Sequence, residues 1–162
     1  MRTAPIQKIS QNDLLLMAKG LIEGENDSIA LLANLSALIS EAFDETNWVG
    51  FYRLIHQELV LGPFQGRIAC TRIPLGKGVC GTAAAEKRTL RIEDVHDFPG
   101  HIACDSASNS EIVVPLLGKD AKLYGVLDID SPKIGRFSQA EQKLLEEIVS
   151  HLTARLDQIP CL

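Results

Sequence analysis

Hydrophobic positions recur at threes and fours near both ends of the chain and alternate in its middle. Ser10 to Asp13 offers a hydroxyl cap with a carboxylate three residues on, and Leu14, Ala18, Leu21 and Ile22 follow at helical spacing. This predicts a short helix that Gly24 ends. Ile29, Leu32, Ala33, Leu35, Ile39, Ala42 and Phe43 continue the period and predict a longer amphipathic helix. From Thr46 the pattern changes to strand-like runs, NWVGFYRLI and ELVLGPF, separated at His56-Gln57 by a gap short enough for a hairpin. GRIACTRIP extends the strand pattern up to Pro74. VCGTAAAE, from Val79 to Glu86, predicts two turns of helix, and Thr89 to Ile92 a brief strand. Glu93 to Ser108 has no period, and structureless segments of that length in compact domains are usually functional loops. Two further strands, Glu111 to Leu117 and Lys122 to Asp130, form a hairpin around Gly118 to Asp120. Ser138-Gln-Ala-Glu141 is a capping box, followed by the apolar stripe Ala140, Leu144, Leu145, Ile148, Leu152 and Leu156.

This order predicts an α+β fold: an antiparallel central sheet with the N- and C-terminal helices packed on one face and a ligand pocket on the other. At 162 residues the chain suffices for one full core and is short for two. The expectation is one domain over 1–162, helical over 1–45, sheet and active-site loops over 46–137, and a C-terminal helix over 138–159.

Composition removes several classes. Sixteen Lys and Arg against 21 Asp and Glu give a formal charge of -5 with no basic cluster, so neither nucleic acid nor an anionic membrane is an expected partner. MRTAPIQKIS lacks the apolar core of a signal peptide, and no apolar run reaches membrane-spanning length. The expected location is cytoplasmic. Structural disulfides are rare there, so clustered cysteines read as metal ligands, reactive thiols or buried inert residues.

Three of the four cysteines, Cys70, Cys80 and Cys104, fall within 35 residues, and Cys104 sits among small polar residues that give it little reason to be there for packing. The group reads as redox thiols. Zinc sites bring ligands in pairs two to four residues apart, whereas these are ten and 24 apart, which argues against a metal even with His96 and His101 nearby. Gly76-Lys-Gly-Val-Cys-Gly81 matches G-x-G-x-x-G, but dinucleotide binding requires a parallel strand before it and a long helix after it. A tight turn into a short helix is the better account. Cys161, near the end of the chain, reads as incidental.

Alternation places Trp48, Gly50 and Tyr52 on one strand face and Val49 and Phe51 on the other. With Val49 and Phe51 in the core, the glycine leaves room for a ligand between aromatic walls. Asp128 and Asp130 also share a face, opposite Leu127 and Ile129. Two like charges there suit a ligand ammonium, or one carboxyl kept protonated to donate a proton. Glu111 opens the strand after the Cys104 loop. Three acids, two aromatics and three thiols thus converge on one sheet face.

The stretches NWVGFYRL, LGPFQGRIACTRIPLGKGVCGTAAA, RIEDVH followed by GHIACDSASNSEIVVPL, and GVLDIDSP, from Asn47 to Pro132, strongly resemble the free methionine-(R)-sulfoxide reductases, single GAF-domain enzymes. The resemblance implies that Cys104 is the nucleophile, Cys70 the main resolving thiol and Cys80 an auxiliary one. It implies that Trp48 and Tyr52 shape the pocket around the methylsulfinyl group, and that Glu111, Asp128 and Asp130 hold the amino acid and the sulfoxide oxygen. It also implies recycling by thioredoxin, no metal or organic cofactor, and a homodimer as the expected assembly. The enantiomer preference rests on the family alone. Two rival readings are a non-catalytic GAF sensor of a small molecule and a cysteine hydrolase pairing Cys104 with His101 or His96.

Overall fold

The computed structural model describes residues 8–102 and 107–160. Helix α1 (Gln11–Gly24) starts where the Ser10 hydroxyl accepts the Asp13 N–H at 3.1 Å, and α2 (Ser28–Ala42) starts on an Asp27 cap. The hairpin β1 (Trp48–Ile55) and β2 (Glu58–Gly66) follows, then β3 (Arg72–Pro74), α3 (Gly78–Glu86) and β4 (Leu90–Ile92). β5 (Ser110–Leu117) and β6 (Leu123–Ser131) form the second hairpin, and α4 (Gln139–Leu156) closes the order on a reciprocal capping box between Ser138 and Glu141. Among the described residues the strands make one antiparallel sheet in the order β3-β2-β1-β6-β5-β4.

Alternation along the strands decides what each face buries. Val49 and Phe51 of β1, Ile112, Val114 and Leu116 of β5, and Leu127 and Ile129 of β6 pack against α1, α2 and α4. Trp48 and Tyr52, Val113 and Val126 face the other way, toward α3. The N- and C-terminal helices therefore share one face, as expected, while the short α3 covers part of the opposite one.

Four local expectations are corrected. Ile29 and Ala33 lie on the exposed side of α2, and the buried stripe is Leu31, Leu32, Leu35, Leu38 and Ile39. Ala140 is exposed in the first turn of α4, and Val149 is buried instead. GRIACTRIP is not one strand: β2 ends at Gly66, residues 67–71 lie outside both strands, and only Arg72–Pro74 rejoin the sheet. Ile68 in that gap is 91% exposed, so the apolar spacing there marks a surface and not a core face. Finally, the long loop after β4 contains a 3-10 turn, Val95–Asp97, capped by Asp94.

Candidate active site

The α3 side of the sheet holds a cavity of about 520 Å³ including its mouth. Its floor comes from β1, β5 and β6, whose pairing aligns Trp48 with Asp130 and Asp130 with Glu111 in one row. The adjacent row aligns Gly50, Asp128 and Val113. Trp48, Tyr52, Cys80, Glu111, Asp128 and Asp130 all line the cavity. Residues more than 80 positions apart thus meet through strand register alone.

Gly50 corrects one expectation about this floor. A Cβ at Gly50 would lie 2.3 Å from the Phe64 Cβ and 2.8 Å from the Trp48 ring. The space belongs to packed aromatics, not to a ligand. Trp48 stacks between Phe64, at 5.2 Å between centroids, and Tyr52, at 5.8 Å. The glycine lets this stack form, and the stack walls the pocket.

The same aromatics hold the segment that carries Cys70. The Trp48 indole N–H donates to the Arg67 carbonyl at 3.2 Å, and the Tyr52 hydroxyl to the Cys70 carbonyl at 2.9 Å. Cys70 is disulfide-bonded. Cys104 and Cys161 lie outside the described residues. Cys80, in α3, is a buried free thiol.

Cys80, Glu111 and Asp128 form a tight cluster whose sulfur and carboxylate oxygens lie within 4.8 Å of one another. The Cys80 thiol donates to Glu111 Oε1 at 3.7 Å. His101 Nε2 lies 3.8 Å from Glu111 Oε2. Burial pushes the Glu111 carboxyl well above the usual carboxylate range, and the charges of Asp128 and Asp130 push it further. Burial outweighs the lowering contacts with Glu111 and Cys80, and Asp128 is pushed up to about 6. Burial and neighbouring charge both favour the protonated form of Glu111. Burial, followed by the Asp128 and Glu111 charges, keeps Cys80 a neutral thiol. Asp128 Oδ1 is buried with no hydrogen-bond partner, a buried acceptor facing a cavity. The arrangement can receive a cation beside Asp128 and Asp130 and give a proton from Glu111. A metal in the same place would have to displace protons from Glu111 and Cys80.

Several cavity residues carried no sequence signal. Lys77, Val79 and Ile102 border the mouth, and Ser108, whose Oγ accepts from Asn47 Nδ2 at 3.1 Å, borders the floor. The glycines around Lys77 build its turn: Gly78 has φ +62°, and a Cβ at Gly81 would lie 2.4 Å from the Pro74 carbonyl. That, in an antiparallel sheet, accounts for the G-x-G-x-x-G string without a nucleotide. His96 lies outside the cavity, exposed and paired with Asp94 at 2.7 Å.

A six-stranded antiparallel sheet with flanking helices on one face and a pocket under a short helix on the other is the architecture of a GAF domain, and the GAF domain family model matches residues 26–157. The chain is 57% identical over 132 residues to the free methionine-R-sulfoxide reductase of Escherichia coli, covering 82% of this chain and 79% of that one. The fRMsr of Staphylococcus aureus in its reduced form superposes with a TM-score of 0.88 at 51% identity, over 95% of this chain and 99% of that one. The free methionine-R-sulfoxide reductase of Neisseria meningitidis in complex with its substrate superposes with a TM-score of 0.88 at 41% identity, over 97% and 96% of the two chains. Within the GAF domains, the chain belongs to the free methionine-R-sulfoxide reductase family of oxidoreductases.

Proposed function

We propose that this chain, as a single cytoplasmic domain, reduces free methionine-(R)-sulfoxide to methionine through Cys104, with thioredoxin as the reductant. The observation that carries the reading is Glu111 buried beside Asp128, where burial favours its protonated form, in a cavity walled by Trp48 and Tyr52 and bordered by the segment that carries the disulfide-bonded Cys70.

A sulfoxide sulfur is a poor electrophile until its oxygen takes a proton or a strong hydrogen bond. Glu111 supplies that proton while the Cys104 thiolate attacks the sulfur. The oxygen passes to Cys104 as a sulfenic acid, the substrate sulfur gains two electrons, and methionine leaves. The Cys70 thiol then condenses with the sulfenic acid, releasing water and forming a disulfide. An external dithiol reduces that disulfide and is itself oxidised to a disulfide. Cys80 has no thiolate to offer in this environment, which favours Cys70 as the resolving partner. Asp128 and Asp130 receive the α-ammonium of the substrate, which a methionine inside a polypeptide lacks, so specificity for the free amino acid follows from charge pairing.

The deciding assay is methionine release from free methionine-(R)-sulfoxide with thioredoxin and its reductase, for wild type, Cys104→Ser, Cys70→Ser and Cys80→Ser. Turnover is expected for the wild type, none for Cys104→Ser, and a larger loss for Cys70→Ser than for Cys80→Ser. An inactive wild type that still binds methionine sulfoxide would mark a sensor. Activity that needs no reductant would mark a hydrolase.

A further inference from the structure

We propose that His101 is the relay that returns to Glu111 the proton the reaction takes from it. The inference rests on the reductase reading and adds a residue to it.

Each turnover removes one proton from Glu111, and the residue is only 6% exposed. Cys80 and Asp128, its close neighbours in the cavity, are just as enclosed, at 4% and 5%. A carboxylate left in that recess would face the charges of Asp128 and Asp130 across a poorly screening medium. His101 differs from these neighbours in reaching both sides. Its Nε2 lies 3.8 Å from Glu111 Oε2, one bridging water or a small closure short of a hydrogen bond, and its side chain keeps 17% exposure at the cavity mouth.

An imidazole passes a proton without holding net charge: it takes one at one ring nitrogen and releases one from the other. Burial, and then the charge of His96, push His101 below the ordinary histidine value, so the ring is mostly neutral at neutral pH. Glu111 from β5 is its ion-pair neighbour, His96 acts on it by charge, and Asp128 and Asp130 from β6 with Cys80 and Lys77 at the start of α3 line the same cavity. In the reading above, the two aspartates are engaged by the substrate ammonium, and Cys80 is a buried neutral thiol. The route from solvent then runs to His101 Nδ1, from His101 Nε2 to Glu111, and from Glu111 to the sulfoxide oxygen. Protons balance, since the one that Glu111 takes up from solvent matches the one Cys104 releases to solvent when it ionises to the attacking thiolate.

The test compares steady-state turnover of His101→Ala, His101→Gln and wild type, with far-ultraviolet dichroism confirming that each is folded. Loss of a proton-transfer partner commonly costs about 10²-fold. The expected result is that order of loss in kcat for both variants, KM within about twofold of wild type, and recovery of His101→Ala but not His101→Gln on adding imidazole. Full activity in His101→Gln would overturn the relay, because an amide donates a hydrogen bond but does not shuttle a proton. So would an unchanged kcat in His101→Ala, or a loss that imidazole does not restore. An inactive wild type would instead remove the reductase reading on which the relay rests.

Discussion

The two faces of the sheet solve opposite problems with the same strands. On the helix-covered face, Val49, Phe51, Ile112, Leu127 and Ile129 meet Leu14, Leu35, Leu145 and Leu152 in a core with no charged member. On the α3 face, one residue away along the same strands, Glu111 and Asp128 are buried beside a thiol, and Asp128 Oδ1 has no partner. The first arrangement is what stability alone would select. The second raises the energy of the substrate-free state, because buried charge and unmet acceptors are unfavourable until a ligand satisfies them. Strand alternation keeps the two apart: a substitution reaches one face and spares the other.

That separation can be broken in four ways, here from the largest effect to the smallest. Leu145→Ala, at a position with no exposure, should destabilise the fold by about 2–5 kcal/mol in chemical denaturation while leaving KM unchanged. Glu111→Gln should lower kcat by about 10²-fold, equivalent to about 2.7 kcal/mol, with no loss of melting temperature; equal activity at all pH values would remove Glu111 as proton donor. Asp128→Asn should raise KM and stabilise the free protein by roughly 1–3 kcal/mol at neutral pH. The folded wild type holds the Asp128 proton up to about pH 6, against an ordinary value of 3.8. The stability tied to that proton is complete below the ordinary value and is lost as pH rises through the folded one. The gain from Asn should therefore shrink to nothing as pH falls below about 4, and a pH-independent gain would refute the assignment. Ser138→Ala removes one half of a capping box and should cost about 1 kcal/mol with activity intact.

How much of this was legible in the sequence depends on the range over which each feature is decided. Caps at Ser10 and Ser138, the hairpins, and the division of Val49 and Phe51 from Trp48 and Tyr52 are set within a few residues, and the pattern displayed them. Asp128 and Asp130 could be placed on one face by alternation, and their proximity to Glu111 followed once register was known. What failed was decided at a distance. Ile29 and Ala33 have the right spacing, but α2 turns its other side to the sheet. Gly50 looked like space because the sequence does not show that Phe64 from the next strand fills it. His101 lies on a loop with no period, and its approach to Glu111 depends on how that loop folds over the cavity.

Trp48 is the sole tryptophan in the chain. It stacks in the pocket wall, packs against Phe64 and Tyr52, and donates to the carbonyl of Arg67, three residues before Cys70. Under the proposed function, the protein thus carries its own fluorophore beside both the bound substrate and the segment of the resolving thiol. Native emission would then report substrate binding and oxidation of Cys70 in real time, free of background from any other indole and without a cysteine-directed label.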